Sequence, residues 1–149
     1  MMPRPRLLAL AALTLAVPAL AQSAPNPAAT RIAGYRALGS AFKAVNDGLR
    51  AGNLAAVPAS GVAISNAARA QYRWYAANTR PGPGVRTHAR PEIWTRAAEF
   101  RAAQDRFALQ AAAFRQASTS GNADTIRAAS RQLGAACRGC HDTFRVEDD

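Results

Sequence analysis

Ile32, Tyr35, Gly39, Phe42, Asn46 and Leu49 recur at alternating steps of three and four residues, and Leu38 and Val45 widen the stripe. At 3.6 residues per turn these positions share one face, so the pattern predicts an amphipathic helix beginning after Thr30 and ending at Gly52-Asn53. A less regular stripe, Val57, Ile64, Ala68, Tyr72 and Tyr75, predicts a second helix from Asn53 or Ala59 to Asn78. Pro58 fits its first turn, where an N–H would have no partner anyway. Residues 79–91, "TRPGPGVRTHARP", hold three prolines and two glycines and must form a loop. Pro91 opens a third helix with Ile93, Ala97, Phe100, Gln104, Phe107, Ala111 and Phe114 on one face. Gly121-Asn122 interrupts the chain, and Asn122 is placed to cap a fourth helix. That helix carries Ile126, Ser130, Leu133, Cys137, Cys140 and Phe144 at helical spacing. Four amphipathic helices, short links and no strand pattern predict an all-α fold, an antiparallel up-and-down four-helix bundle. Alanine dominates the inward positions, which implies close helix contacts or a core that another group must fill.

The first residues follow a different rule. "MMPRPRLLALAALTLAVPALA" has a basic start (Arg4, Arg6), an apolar run from Leu7 to Val17, and Ala19-Leu20-Ala21 as a small-residue cleavage site. The run is too short for a membrane-spanning helix, which needs ~20 residues. Residues 1–21 are therefore expected to be a signal peptide cleaved after Ala21, which exports the product to the periplasm of a bacterium. Residues 22–29 read as a flexible lead-in and 30–149 as one domain. Loss of Arg4 and Arg6 lowers the net charge from +10 to +8. A positive field favours anionic partners. The arginines are nevertheless spread over every segment with no basic run, so neither nucleic acid nor membrane is an expected partner.

Cys137 and Cys140 are the only cysteines. A disulfide between positions i and i+3 of a helix closes a tiny, strained loop. A redox pair normally opens a helix beside a sheet, and structural zinc would need a fourth ligand beyond Cys137, Cys140 and His141, with His88 the one candidate. Cys-x-x-Cys-His instead matches covalent haem attachment: two thiols on one helix face take the porphyrin edge, and the next imidazole, His141, becomes the axial ligand of the iron.

Three stretches, "TRIAGYRALG" (30–39), "THARPEIWTRAAEF" (87–100) and "LGAACRGCHDTFR" (133–145), make the sequence similar to the cytochrome c prime family, or class II cytochromes c, of the distal-tyrosine type. The resemblance implies a four-helix bundle around one covalently attached haem c per chain. It further implies that Arg31 pairs with a haem propionate, that Tyr35 occupies the distal pocket and that Arg145 lies near the proximal side. Some members of the family place a first-helix methionine on the iron and carry electrons. Others leave that position open and bind diatomic gases such as nitric oxide or carbon monoxide, and many form homodimers through their first two helices.

The distal ligand can be approached by elimination. Met1 and Met2 leave with the signal peptide, and arginine stays protonated. His88 reads as a solvated loop residue and Lys43 as a surface charge. Tyr35 could bind only as phenolate, which its ordinary pKa of ~10 opposes. The expectation is a five-coordinate, high-spin iron under the Tyr35 ring, with Phe144, Trp94 and Phe100 packing around the macrocycle and no catalytic residue. A low-spin electron carrier, a haem peroxidase and a haem-free helical binding module are the alternatives. A pocket of ~300 Å³ left empty would cost on the order of 7 kcal/mol, so the haem is also expected to be structural.

Overall fold

The computed structural model describes residues 26–147; the expected signal peptide and its cleavage site lie outside them. Five α-helices follow one another: α1 Ala29–Ala51, α2 Val57–Ala70, α3 Glu92–Thr95, α4 Ala97–Ala117 and α5 Ala123–Phe144. The four long ones form the antiparallel bundle. α1 packs on α2, α2 on α4 and α4 on α5, whereas α1 and α5 meet only loosely, through Phe42, Val45 and Leu49 against Ile126 and Leu133. Among the described residues no helix is long and apolar enough to cross a membrane.

Local chemistry sets most of the ends. α1 stops at Gly52, whose positive φ of 69° lets the Asn53 N–H fold back to the Gly48 carbonyl. Pro58 lies in the first turn of α2, and the Asn122 side chain accepts from the N–H groups of Asp124 and Thr125 at the start of α5. The lead-in differs from expectation. Residues 26–29 are fixed: Asn26 Oδ1 accepts from Ala28 N–H, Asn26 Nδ2 donates to the Arg86 carbonyl, and Ala28 is fully buried.

Two helices depart from the predicted boundaries. α2 ends at Ala70 rather than Asn78, followed by a 3-10 turn over Gln71–Arg73. The buried Gln71 side chain donates to the Ala68 and Gln104 carbonyls, and Gln104 donates back to the Gln71 carbonyl. This exchange caps α2 against α4 and turns the chain. The third predicted helix is broken at Arg96 (φ −119°, ψ 50°) into α3 and α4, so Ala97 is exposed instead of facing the core.

The interior has two parts. Val45, Leu49, Val57, Ile64, Phe107, Ala111, Phe114, Ile126 and Leu133 fill the end where α1 turns into α2 and α4 into α5. At the opposite end a smaller cluster holds only Ile93, Phe100, Ala103 and Phe144. The space between α1 and α5 begins there.

Candidate functional site

α5 places Cys137, Cys140 and His141 on adjacent turns facing that space. A cavity of about 1060 Å³ lies against them and opens to solvent. Its walls include Phe42 from α1, Phe100 and Phe107 from α4, and Leu133 from α5. Every site residue named from the sequence lines it: Arg31, Tyr35, Cys137, Cys140, His141 and Arg145. Phe100 and Phe144 line it too, in edge-to-face contact at 5.1 Å. Trp94 does not; its indole N–H donates to the Tyr75 carbonyl behind the wall. Lys43 is surface-paired with Asp47, and His88 is an exposed residue at the cavity mouth.

Both thiols are free. Burial pushes the Cys137 thiol up, and burial together with Cys137 pushes Cys140 up to about 11 against the opposing pull of Arg106. Among the described residues no three His, Cys, Asp or Glu side chains converge as a metal cage. Desolvation and the Arg145 guanidinium hold His141 below its ordinary value, against Asp142 and Glu147. A neutral imidazole is the form that can donate a lone pair to a metal.

Across the cavity, the Tyr75 hydroxyl donates to the Tyr35 oxygen at 2.9 Å. Burial, then the neighbouring Tyr75, raises the Tyr35 phenol far beyond the ordinary range, and burial pushes Tyr75 up to about 12. Both are neutral phenols at physiological pH. Their position depends on Trp74, which lies edge-to-face on Tyr35 at 4.9 Å and directly over Gly34; a Cβ on Gly34 would come within 2.3 Å of the indole.

Arg31 is 3% exposed and has no acidic partner. Its terminal nitrogens donate to the Trp74 carbonyl, the Thr79 hydroxyl and carbonyl, and the Thr87 hydroxyl. The guanidinium also lies 4.9 Å from the Tyr75 ring centroid. It thus staples the 74–87 loop to α1. That role was not legible, because Thr79 and Thr87 sit in a loop without periodicity. The same loop closes the proximal end: Arg90 N–H donates to the Phe144 carbonyl and Val146 N–H to the His88 carbonyl, just beyond His141.

The donor set and the cavity fit a covalently held haem: two free thiols and a neutral imidazole on one helix face a largely apolar slot, with an uncompensated buried cation beside it. A family model described as Cytochrome C′ matches residues 26–145. The cytochrome c′ of Rubrivivax gelatinosus is 41% identical over 68 residues, covering 43% of this chain and 53% of that protein, so the match spans about half of the relative's length. Among solved structures, a cytochrome c′ with an unusual ligand-controlled dimer dissociation superposes with a TM-score of 0.77 at 24% identity, covering 85% of this chain and all of that one. A nitric oxide complex of a cytochrome c prime variant from Alcaligenes xylosoxidans reaches a TM-score of 0.72 at 25% identity, over 81% of this chain and 94% of that one. The first of these likenesses establishes the four-helix fold; the family model, spanning the bundle from Asn26 to Arg145, establishes that the chain belongs to the cytochrome c′ family, which implies covalently bound haem c.

Proposed function

We propose that the protein is a periplasmic haem c carrier, one haem per chain, that exchanges an electron and binds diatomic gases such as nitric oxide and carbon monoxide. The single observation that carries this reading is the opposition of Cys137, Cys140 and His141 on α5 to a neutral, half-buried Tyr35 on α1 across one cavity. When bound, the haem supplies a one-electron couple and an iron able to take a small ligand.

The chain's own residues do the rest. Cys137 and Cys140 would hold the macrocycle through their thiols, and His141 would donate an imidazole lone pair to its iron. Tyr35 is kept from ionising by desolvation, so it would be a poor phenolate donor to an iron held there. The Tyr75 hydroxyl and Trp74 hold its ring in place, which supports its reading as a cap that would leave the iron open to a small ligand. Arg31 is a buried cation without an acid, a costly state that an anionic propionate in the cavity would relieve. Arg145 borders the proximal side, where it acts on His141. Nothing in this arrangement needs a catalytic residue, and binding and electron exchange rather than turnover is the reading. The nitric oxide complex and the ligand-controlled dimer among the related structures support gas binding and admit a homodimer.

An optical spectrum of the mature ferrous protein tests this. A high-spin spectrum that shifts on adding carbon monoxide is expected. A low-spin spectrum indifferent to carbon monoxide would instead establish the dedicated electron carrier, and colourless protein from a strain competent in haem attachment would end the haem reading.

A further inference from the structure

Arg131 and Arg138 stand seven residues apart on α5, and Arg145 follows in extended backbone just past its end. Seven residues are close to two helical turns, so Arg131 and Arg138 share one stripe of ~10 Å at ~1.5 Å per residue, which Arg145 prolongs. All three are exposed and border the cavity mouth, joined from α1 by the exposed Arg36. Among the described residues no aspartate or glutamate lines this cavity. Four arginines elsewhere have acids beside them on their own helix: Arg50 with Asp47, Arg96 with Glu99, Arg101 with Asp105 and Arg127 with Asp124. Among the described residues Arg36, Arg131 and Arg138 belong to no such couple. Asp142 and Glu147 lie at the His141 end of α5, where their charges act on that imidazole.

We infer that this arginine rim is a docking surface for an acidic protein, seated over the slot between α1 and α5. A row of like charges around one opening repels itself until a row of opposite charge meets it, and such complementarity steers encounter and fixes register. The guanidinium fork suits carboxylates, which it binds through two parallel hydrogen bonds. The length of the stripe exceeds any small anion. A helix that settles on a membrane presents bulky apolar side chains beside its cations. Here Val146 is the one exposed large hydrophobic beside the rim; Val62 and Leu109 lie on α2 and α4. The docking inference goes beyond the haem reading and does not require it, although a partner seated there would face the slot directly.

The test uses the mature protein, a fluorescent oligoglutamate peptide as probe, and two double variants of equal charge change. Arg131→Glu with Arg138→Glu alters the rim; Arg69→Glu with Arg115→Glu alters the groove between α2 and α4. At low ionic strength the rim pair is expected to weaken peptide binding roughly tenfold or more and the groove pair less than about twofold, with both effects fading as salt rises. Equal weakening by both pairs would reduce the effect to net charge and overturn the proposal. Tighter binding to phosphatidylglycerol vesicles than to the peptide, abolished by the rim pair, would assign the rim to a membrane and overturn it too. If circular dichroism shows that the glutamate variants lose helix, the milder Arg131→Gln with Arg138→Gln must reproduce the same ordering, or the proposal fails.

Discussion

Tyr35 and Tyr75 share one hydrogen bond between two half-buried phenols, and both are harder to ionise in the folded chain than in the unfolded one. Below an unfolded phenol pKa of ~10 the two states bind the same protons, and the full stability is present. Above it the unfolded chain releases protons that the folded chain keeps, so stability falls as pH rises through the folded value of about 12 for Tyr75. Denaturant unfolding of Tyr75→Phe is therefore expected to show a flatter alkaline limb than the parent protein; coincident slopes would contradict the burial of this phenol. Arg31 works at the same scale by geometry. Its two terminal nitrogens reach three loop residues at once, so Arg31→Met is expected to lower the unfolding free energy by about 1.5–3 kcal/mol, the scale of hydrogen bonds to a charged group. Arg31→Lys should not restore it, because one ammonium cannot span Trp74, Thr79 and Thr87. Urea midpoints of the two variants check both statements.

At the scale of elements, Gly34 on α1 shows how sequence and tertiary contact trade. Replacing a helical glycine by alanine ordinarily gains up to ~1 kcal/mol of propensity. Here the new Cβ would sit 2.3 Å from the Trp74 ring, and overpacking of this kind costs ~1–3 kcal/mol. The clash outweighs the propensity, so Gly34→Ala is expected to destabilise the protein and disturb the distal side, seen as a lowered urea midpoint and altered carbon monoxide affinity. No residue near Gly34 in the sequence announces Trp74, which arrives from forty residues away. By contrast α1, α5 and the Asn122 cap were legible, since each rests on local periodicity or local capping chemistry. The end of α2 and the break at Arg96 were not. The first depends on the Gln71–Gln104 exchange between helices, and the second occurs at a residue that is neither glycine nor proline. The site divides in the same way. Cys137, Cys140 and His141 follow from a pentapeptide, and Arg31 and Tyr35 from resemblance to a family. The Tyr75 hydroxyl and the Thr79 and Thr87 contacts emerge only when the loop closes.

At the scale of the whole molecule the bundle has a self-sufficient end and a dependent one. The cluster around Ile64, Phe114 and Ile126 is closed by all four long helices, whereas the opposite end leaves α1 and α5 apart around about 1060 Å³. Kept dry and empty, that volume would cost on the order of 25 kcal/mol at ~24 cal/mol per Å³, more than the ~5–15 kcal/mol by which whole domains are stable. It must therefore be filled, either by a prosthetic group or by water wetting Phe42, Phe100, Phe107 and Leu133. Haem supplies the apolar contact that water cannot. The double variant Cys137→Ser with Cys140→Ser, purified without haem, is accordingly expected to keep slow hydrogen exchange around Val57–Ile64 and Phe114, and to lose it around Tyr35, Phe100 and Phe144. Its thermal transition should broaden for the same reason. Protection spread evenly over both ends, with a single sharp melt, would show that α1 and α5 hold each other without the group between them.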